Sequence, residues 1–171
     1  IEKEISLLEP LRSNADLVID TSNTTVHELR QQIFSLFSVS GLSEHKLLLR
    51  VISFGFSKGI PTDIDLMFDV RFLPNPHFDP KLRPLTGKDK PVKEFLEEKK
   101  ITNKFWEKLS GLLDFLIPEY SKEGKSYLTI GIGCTGGRHR SVMVAERVKD
   151  YFELKGYKCI IEHRDIYLPH N

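Results

Sequence analysis

Tyr127-Leu128-Thr129-Ile130-Gly131-Ile132-Gly133 runs without interruption into Cys134-Thr135-Gly136-Gly137-Arg138-His139-Arg140-Ser141. Beyond it, Val142, Ala145, Val148 and Phe152 recur at helical spacing until Gly156. The first segment has the continuous apolar character of a strand buried on both faces, and the last reads as an amphipathic helix with a glycine stop. A buried strand, a glycine loop and a helix, in that order, predict an α/β fold with a largely parallel or mixed sheet flanked by helices.

Working outward, Lys46 to Phe56 reads as a long strand broken by Gly55 and Gly59-Ile60-Pro61, and Leu66 to Phe72 as a second buried strand. Leu73-Pro74-Asn75-Pro76-His77-Phe78-Asp79-Pro80 is a loop too long for a simple turn, and such loops commonly carry binding residues. Thr102 is expected to cap a helix with Phe105, Leu109, Leu112, Leu113 and Leu116 on one stripe, ending near Pro118. Trp106 beside that stripe reads as a core or interface anchor. Tyr157 to Ile161 would form the last strand, with Cys159 in the core. Lys81, Arg83, Lys88, Lys90 and Lys93 read as a solvated basic face that RNA could also contact.

Upstream, residues 3–13 read as the end of a helix and Leu17-Val18-Ile19 as a short strand. Thr25-Val26-His27-Glu28 has the form of a capping box ahead of a helix with Leu29, Ile33, Leu36 and Phe37. This αβα stretch is the expected tail of another α/β domain, joined through a linker at residues 38–43. The predicted domains are therefore residues 1–41 and 42–171. A chain that opens with Ile1 inside a helical pattern reads as part of a longer protein.

Composition narrows the classes. The 171 residues are 40% hydrophobic, with 25 Lys and Arg against 24 Asp and Glu. That excludes a disordered or polybasic chain, and no apolar run is long enough for a membrane helix. Three of the basic and six of the acidic residues fall in the first 41 positions, which leaves 22 against 18 in the remainder. Two cysteines cannot form a disulfide framework, so a reducing cytoplasm is the expected setting. The histidines at 27, 45, 163 and 170 are too scattered for a metal site, and none is expected.

The loop from Gly133 to Ser141 carries the chemistry. Amides at a strand end and a helix N-terminus converge on one spot and favour an anion. Gly136 and Gly137 permit close backbone approach and positive φ. Arg140 offers a fork of donors suited to phosphate oxygens, Thr135 and Ser141 offer hydroxyls, and Arg140→Ala is expected to spare the fold. Walker A spacing is absent. The same residues allow a second reading. Cys134 and Arg140, separated by five residues, have the spacing of cysteine-dependent phosphatases, in which an Asp such as Asp69, Asp79 or Asp165 would protonate the leaving group. Asp69 and Arg71 read as a buried pair, either structural or supporting the site through the strand that leads to His77. His139 is expected to face outward with no ligand role.

The runs Val51-Ile52-Ser53-Phe54-Gly55-Phe56, Phe68 through His77, Arg83-Pro84-Leu85-Thr86-Gly87 and Gly133 through Ser141 resemble the C-terminal domain of the bacterial RNase adapter family RapZ. The Gram-positive branch of that family is known as the YvcJ nucleotide-binding proteins. Ala15 through Ser22 resembles the end of the family's N-terminal P-loop kinase-like domain, whose Walker motifs would lie upstream. The resemblance implies a cytoplasmic regulatory adapter in control of amino-sugar and cell-envelope metabolism. ATP or GTP would serve the P-loop domain as cofactor, with none for residues 42–171 and no catalysis of their own. It implies a site for glucosamine-6-phosphate, or a related nucleotide-sugar, at His77, Thr135, Gly136 and Arg140. Gly137 joins them from the loop chemistry, with Asn75, Ser141, Asp69 and Arg71 supporting. A small regulatory RNA, an endoribonuclease and further copies of the chain are the implied partners. The RNA-binding members end in a Lys/Arg tail, whereas this sequence ends Asp165-Ile166-Tyr167-Leu168-Pro169-His170-Asn171. RNA affinity is therefore expected to be modest and steeply salt-dependent.

Overall fold

A computed structural model describes residues 47–167 continuously and, before them, residues 8, 10, 11, 14–22, 24–26, 28, 29 and 33. The chain divides into two compact units, Ile1–Ser43 and Glu44–Asn171. In the first unit the capping box is present: Glu28 Oε2 accepts from Thr25 N and Oγ1, each at 2.8 Å, and Glu28 N donates to Thr25 Oγ1 at 3.2 Å. Residues 26, 28, 29 and 33 are helical. Leu17-Val18-Ile19, expected as a strand, belongs to none. A strand needs a ladder partner, and none of the described residues supplies one. The predicted linker at 38–43 lies outside the described residues.

Among the described residues the second unit holds four strands, β1 (Leu48–Gly55), β2 (Leu66–Asp69), β3 (Tyr127–Cys134) and β4 (Cys159–His163). They form one sheet in the order β2-β3-β1-β4, and every pair is parallel. Three helices join them, α1 (Lys90–Glu97), α2 (Lys100–Lys122) and α3 (Arg140–Leu154). Leu49 and Val51 of β1 and Leu128, Ile130 and Ile132 of β3 pack with Val92, Leu96, Leu113, Ile117, Val148 and Phe152 from the helices in one core. On the opposite sheet face, Gly131 of β3 is covered by Ile64, and Arg50 is paired with Asp63 and Glu162. Ion pairs and a loop take the place that helices usually fill on a parallel sheet.

Several boundaries differ from the sequence reading. β2 stops at Asp69 and is an edge strand with alternate residues exposed. Its ladder ends because the Asp69 carboxylate captures the amide of Arg71 at 2.9 Å and Leu73 N turns back to Val70 O. Thr102 is not a cap: it is buried in the second residue pair of α2, whose N-cap is Lys99. Pro118 sits inside α2 rather than ending it. Buried Ile117 and core-packed Tyr120 hold the last turn in place despite the missing backbone donor. Leu112 points outward, because the buried stripe of Leu109, Leu113 and Ile117 passes it by. Helix α1 falls in the basic stretch read as a solvated face; Pro91 in its first turn and the Val92/Leu96 spacing were its signals. β4 is displaced two residues from its predicted span.

Trp106 is half-buried against the core, edge-on to Tyr151 at 5.4 Å and beneath the Arg147 guanidinium at 4.4 Å. Cys159 is half-buried, and burial pushes its thiol up to about 11. No described helix is long and apolar enough to cross a membrane.

Candidate functional site

In a parallel sheet every strand delivers its carboxyl end to the same side, which is where ligands bind in open α/β folds. Here Gly55 ends β1 directly beside Cys134, the end of β3. The chain leaves β3 through Thr135–His139 and enters α3 at Arg140, whose first-turn amides have no acceptor within the helix. The Pro76–Phe78 3-10 turn stands opposite, with its amide at His77 bound to the Asn75 side chain at 3.2 Å. Between them lies a cleft of about 230 Å³, lined by Ser57, Asn75, His77, Cys134, Thr135, Gly136, Arg138, His139 and Arg140. Two arginines and two histidines line it, and among the described residues no carboxylate does.

Gly137 makes the loop geometry feasible. Its φ is +74°, and a Cβ there would lie 2.7 Å from Gly55 N and 2.8 Å from Asp165 Cβ. The loop thus folds directly onto the end of β1, a path open only to glycine. Gly136 lines the cleft but is not among the positive-φ glycines, so only one of the two expected positions needs that freedom. Asp165 locks the same corner from beyond β4, accepting from Gly55 N at 2.7 Å and pairing with Arg164 at 2.6 Å. Burial works to raise its pKa, but Arg164 and the Gly55 amide outweigh it and hold the carboxyl below its ordinary value.

Arg140 is in the cleft wall, but not as a free fork. It is 6% exposed; Nη1 donates to Arg71 O at 2.6 Å and Leu73 O at 3.1 Å, and Nη2 donates to Thr135 Oγ1 at 3.1 Å. The guanidinium therefore ties the β2 exit to the anion loop while placing its charge and one remaining Nη2 hydrogen at the cleft. The expectation that Arg140→Ala spares the fold does not fit this geometry: the buried Leu73 carbonyl and the part-buried Arg71 carbonyl would both lose their donor. Arg138 acts outward in the same manner, with Nε on Leu85 O at 2.9 Å and its own carbonyl accepting from Gly87 N at 2.9 Å.

Cys134 is 3% exposed, with Sγ 3.1 Å from Ser141 Oγ and accepting from Gly137 N at 3.3 Å. Those contacts make it a hinge between strand, loop and helix. The three aspartates considered as general acids are committed elsewhere: Asp69 to Arg71, Asp79 to the amide of Lys81, and Asp165 to Gly55 and Arg164. None lines the cleft.

Asp69 and Arg71 form a surface pair at 2.6 Å rather than a buried one, and the Arg71 hydrogen bond holds the Asp69 carboxyl below its ordinary value. Arg71 supports the site through its backbone carbonyl, while its guanidinium covers Phe56 at 4.4 Å. Ser141 is fully buried beside Cys134. His139, expected to face outward, is 5% exposed and lines the cleft, because its unusual N-cap conformation turns the side chain inward. Ser57, Arg138 and His139 were missed as lining residues, and Asp165 was missed as a loop anchor. Only His139 and Arg138 had a signal, their place inside the glycine loop; Asp165 is 110 residues from the amide it holds.

Comparison with known proteins gives a consistent picture. Residues 47–167 match the family model of the RapZ C-terminal domain, and residues 1–41 match that of the RapZ-like N-terminal domain. A nucleotide-binding protein of Koribacter versatilis is 51% identical over 166 residues, covering 96% of this chain and 54% of its own length. A nucleotide-binding protein of Ruminiclostridium cellulolyticum is 50% identical, covering 97% and 57%. The RNase adapter protein RapZ of Escherichia coli O1:K1 is 49% identical, covering 97% and 58%. The chain thus spans a little over half the length of these relatives.

Proposed function

This chain belongs to the RapZ family, and from that premise we propose that its Glu44–Asn171 unit is a cytoplasmic sensing domain for a phosphorylated amino sugar such as glucosamine-6-phosphate. One observation carries the reading: a cleft at the strand ends is walled by Arg138, Arg140, His77 and His139, with no carboxylate among the described residues that line it. The phosphate would sit toward Thr135, Gly136 and the start of α3, and the sugar toward Asn75 and His77. At about 230 Å³ the cleft is smaller than pockets for drug-sized ligands, roughly 300–1,000 Å³, which favours a single sugar phosphate over a nucleotide-sugar.

The adapter role named for the Escherichia coli relative comes to this chain as a proposal: ligand occupancy governs engagement of an endoribonuclease and its RNA. Nucleotide binding, named for the Koribacter relative, is proposed for a P-loop region upstream, with ATP or GTP as the ligand that the resemblance implies. The unit itself performs no chemistry in this reading, since Cys134 serves packing and no acid faces the cleft among the described residues.

The test is calorimetric titration of the purified chain with glucosamine-6-phosphate, glucosamine, inorganic phosphate and UDP-N-acetylglucosamine, with phosphate release assayed in the same mixtures. The sugar phosphate should bind at one saturable site, more tightly than phosphate or the nucleotide-sugar, and no phosphate should be released. Preference for the nucleotide-sugar, or turnover that vanishes in Cys134→Ser, would contradict the reading.

A further inference from the structure

A second cleft, of about 320 Å³, lies on the sheet face away from the core, at the end where the strands begin. The anion loop is at the other end of the same strands. Arg50 and Thr129, register neighbours on β1 and β3, line the cleft together with Tyr127 and the 62–65 loop. Asp65 fixes that loop to β3: its amide donates to Thr129 O at 3.0 Å, and its carboxylate accepts from Thr129 N at 2.8 Å and pairs with Lys125. Asp63 and Glu162 both pair with Arg50. This frame leaves several polar groups unused. Thr129 is 2% exposed, yet its hydroxyl bonds to none of the described residues, so the little surface it keeps opens into the cleft. Buried hydroxyls in native proteins nearly always have a partner. The hydroxyls of Thr62 and Tyr127 are likewise unbonded among the described residues, and Asp63 meets Arg50 through one carboxylate oxygen alone.

These groups suit one kind of ligand. Arg50 faces Asp63 and Glu162, and Asp65 faces Lys125, so an anion meets no free cation among the lining residues and a cation meets ion pairs rather than bare carboxylates. What remains is three hydroxyls that can donate or accept, one carboxylate oxygen, and the 65% exposed residue Tyr127 with its aromatic face. A sugar ring has the complementary make-up, with C–H faces that lie against an aromatic ring and edge hydroxyls that both donate and accept. The volume falls at the lower end of the roughly 300–1,000 Å³ of small-molecule pockets. We propose that this cleft binds a neutral monosaccharide, with Tyr127 against one face of the ring and the Thr62 and Thr129 hydroxyls and the Asp63 carboxylate on its hydroxyl groups. The site is separate from the anion cleft, and it stands whether or not that cleft takes a sugar phosphate.

Nuclear magnetic resonance of the isotopically labelled 171-residue chain tests the proposal, by titration with glucose, galactose, mannose and N-acetylglucosamine. Each titration is run with and without inorganic phosphate, which competes only at the anion cleft, and putrescine and acetate serve as charged probes. At least one sugar should produce saturable amide shifts centred on residues 62–65 and 127–129, with the same midpoint in phosphate. Thr129→Val and Tyr127→Ala should each weaken that sugar by roughly fivefold or more. Thr129→Val should leave Tm unchanged or raise it, because the hydroxyl has no partner within the described residues to lose. Four results would each overturn the proposal. They are no saturable shift with any of the sugars, shifts confined to residues 134–140, wild-type sugar affinity in Thr129→Val, or a lowered Tm in that variant, which would give the hydroxyl to the fold. Shifts at this cleft with putrescine or acetate but with none of the sugars would overturn it as well.

Discussion

Gly137 is the residue on which the anion loop depends most sharply. Its positive φ and its contacts with Gly55 and Asp165 leave a side chain neither conformation nor room. Gly137→Ala is expected to cost about 1–3 kcal/mol of stability through backbone strain, with a further penalty from the collision at β1. Thermal unfolding should show a clear fall in Tm and calorimetry a loss of sugar-phosphate binding; a variant with wild-type values for both would refute the account of the loop. Arg140 illustrates a different coupling of structure and function. Hydrogen bonds from a charged donor contribute about 1.5–3 kcal/mol, so the residue that gives the cleft its charge also fastens the β2 exit to the loop.

Among the elements, the strand–loop–helix unit at 127–154 was legible in the sequence because everything that specifies it is local: apolar run, glycines, then helical spacing. β1 followed in the same way, and the sheet expected to be largely parallel or mixed has parallel pairs throughout among the described residues. What failed was set by distant contacts. Asp69 stops β2 with its own side chain, core contacts carry α2 through Pro118, and His139 turns inward at a cap conformation that no residue pattern announces. The lining residues His77, Thr135, Gly136 and Arg140 were legible through local chemistry and family resemblance together; the clamp at Asp165 was not, because it joins positions 110 residues apart. Gly111 supplies a prediction for α2 itself. Gly111→Ala should raise stability by about 0.5–1 kcal/mol, since it restores helix propensity where a Cβ meets nothing within 4 Å among the described residues. Thermal unfolding should show a raised midpoint, and a lowered one would mean that the glycine serves a contact.

Across the whole molecule, the buried titratable groups make folding sensitive to acid. His163 bridges β4 to the rest: Nδ1 lies 2.7 Å from Ser53 Oγ on β1, and Nε2 lies 3.1 Å from Glu146 Oε1 on α3, which Lys88 also approaches at 3.3 Å. Burial, with Lys88 nearby, holds the imidazole pKa below its ordinary value despite Glu146. The unfolded chain therefore takes up that proton first, and stability declines as pH falls from about 6.5 toward the lowered folded value. Glu146 and Asp165 act in the same direction at lower pH. Burial opposes it, but their partners keep both carboxyls below ordinary values, and their contribution is lost as pH falls through those folded values. Tm should therefore fall in two stages on acidification, and His163→Gln should flatten the first; an unchanged slope between about pH 6.5 and 5 in that variant would contradict the assignment.

In the proposed function, the cleft between the Cys134–Arg140 loop and the Pro76–Phe78 turn binds a sugar phosphate through the charge and geometry of Arg140. Calorimetric titration of glucosamine-6-phosphate into wild type and Arg140→Lys, each confirmed folded at the titration temperature, tests it directly. One saturable site is expected in the wild type, and an affinity lower by roughly tenfold or more in the lysine variant, which keeps the charge but not the bonds to Thr135, Arg71 and Leu73 together. No saturable heat with the wild type, or equal affinity in the two proteins, would contradict it.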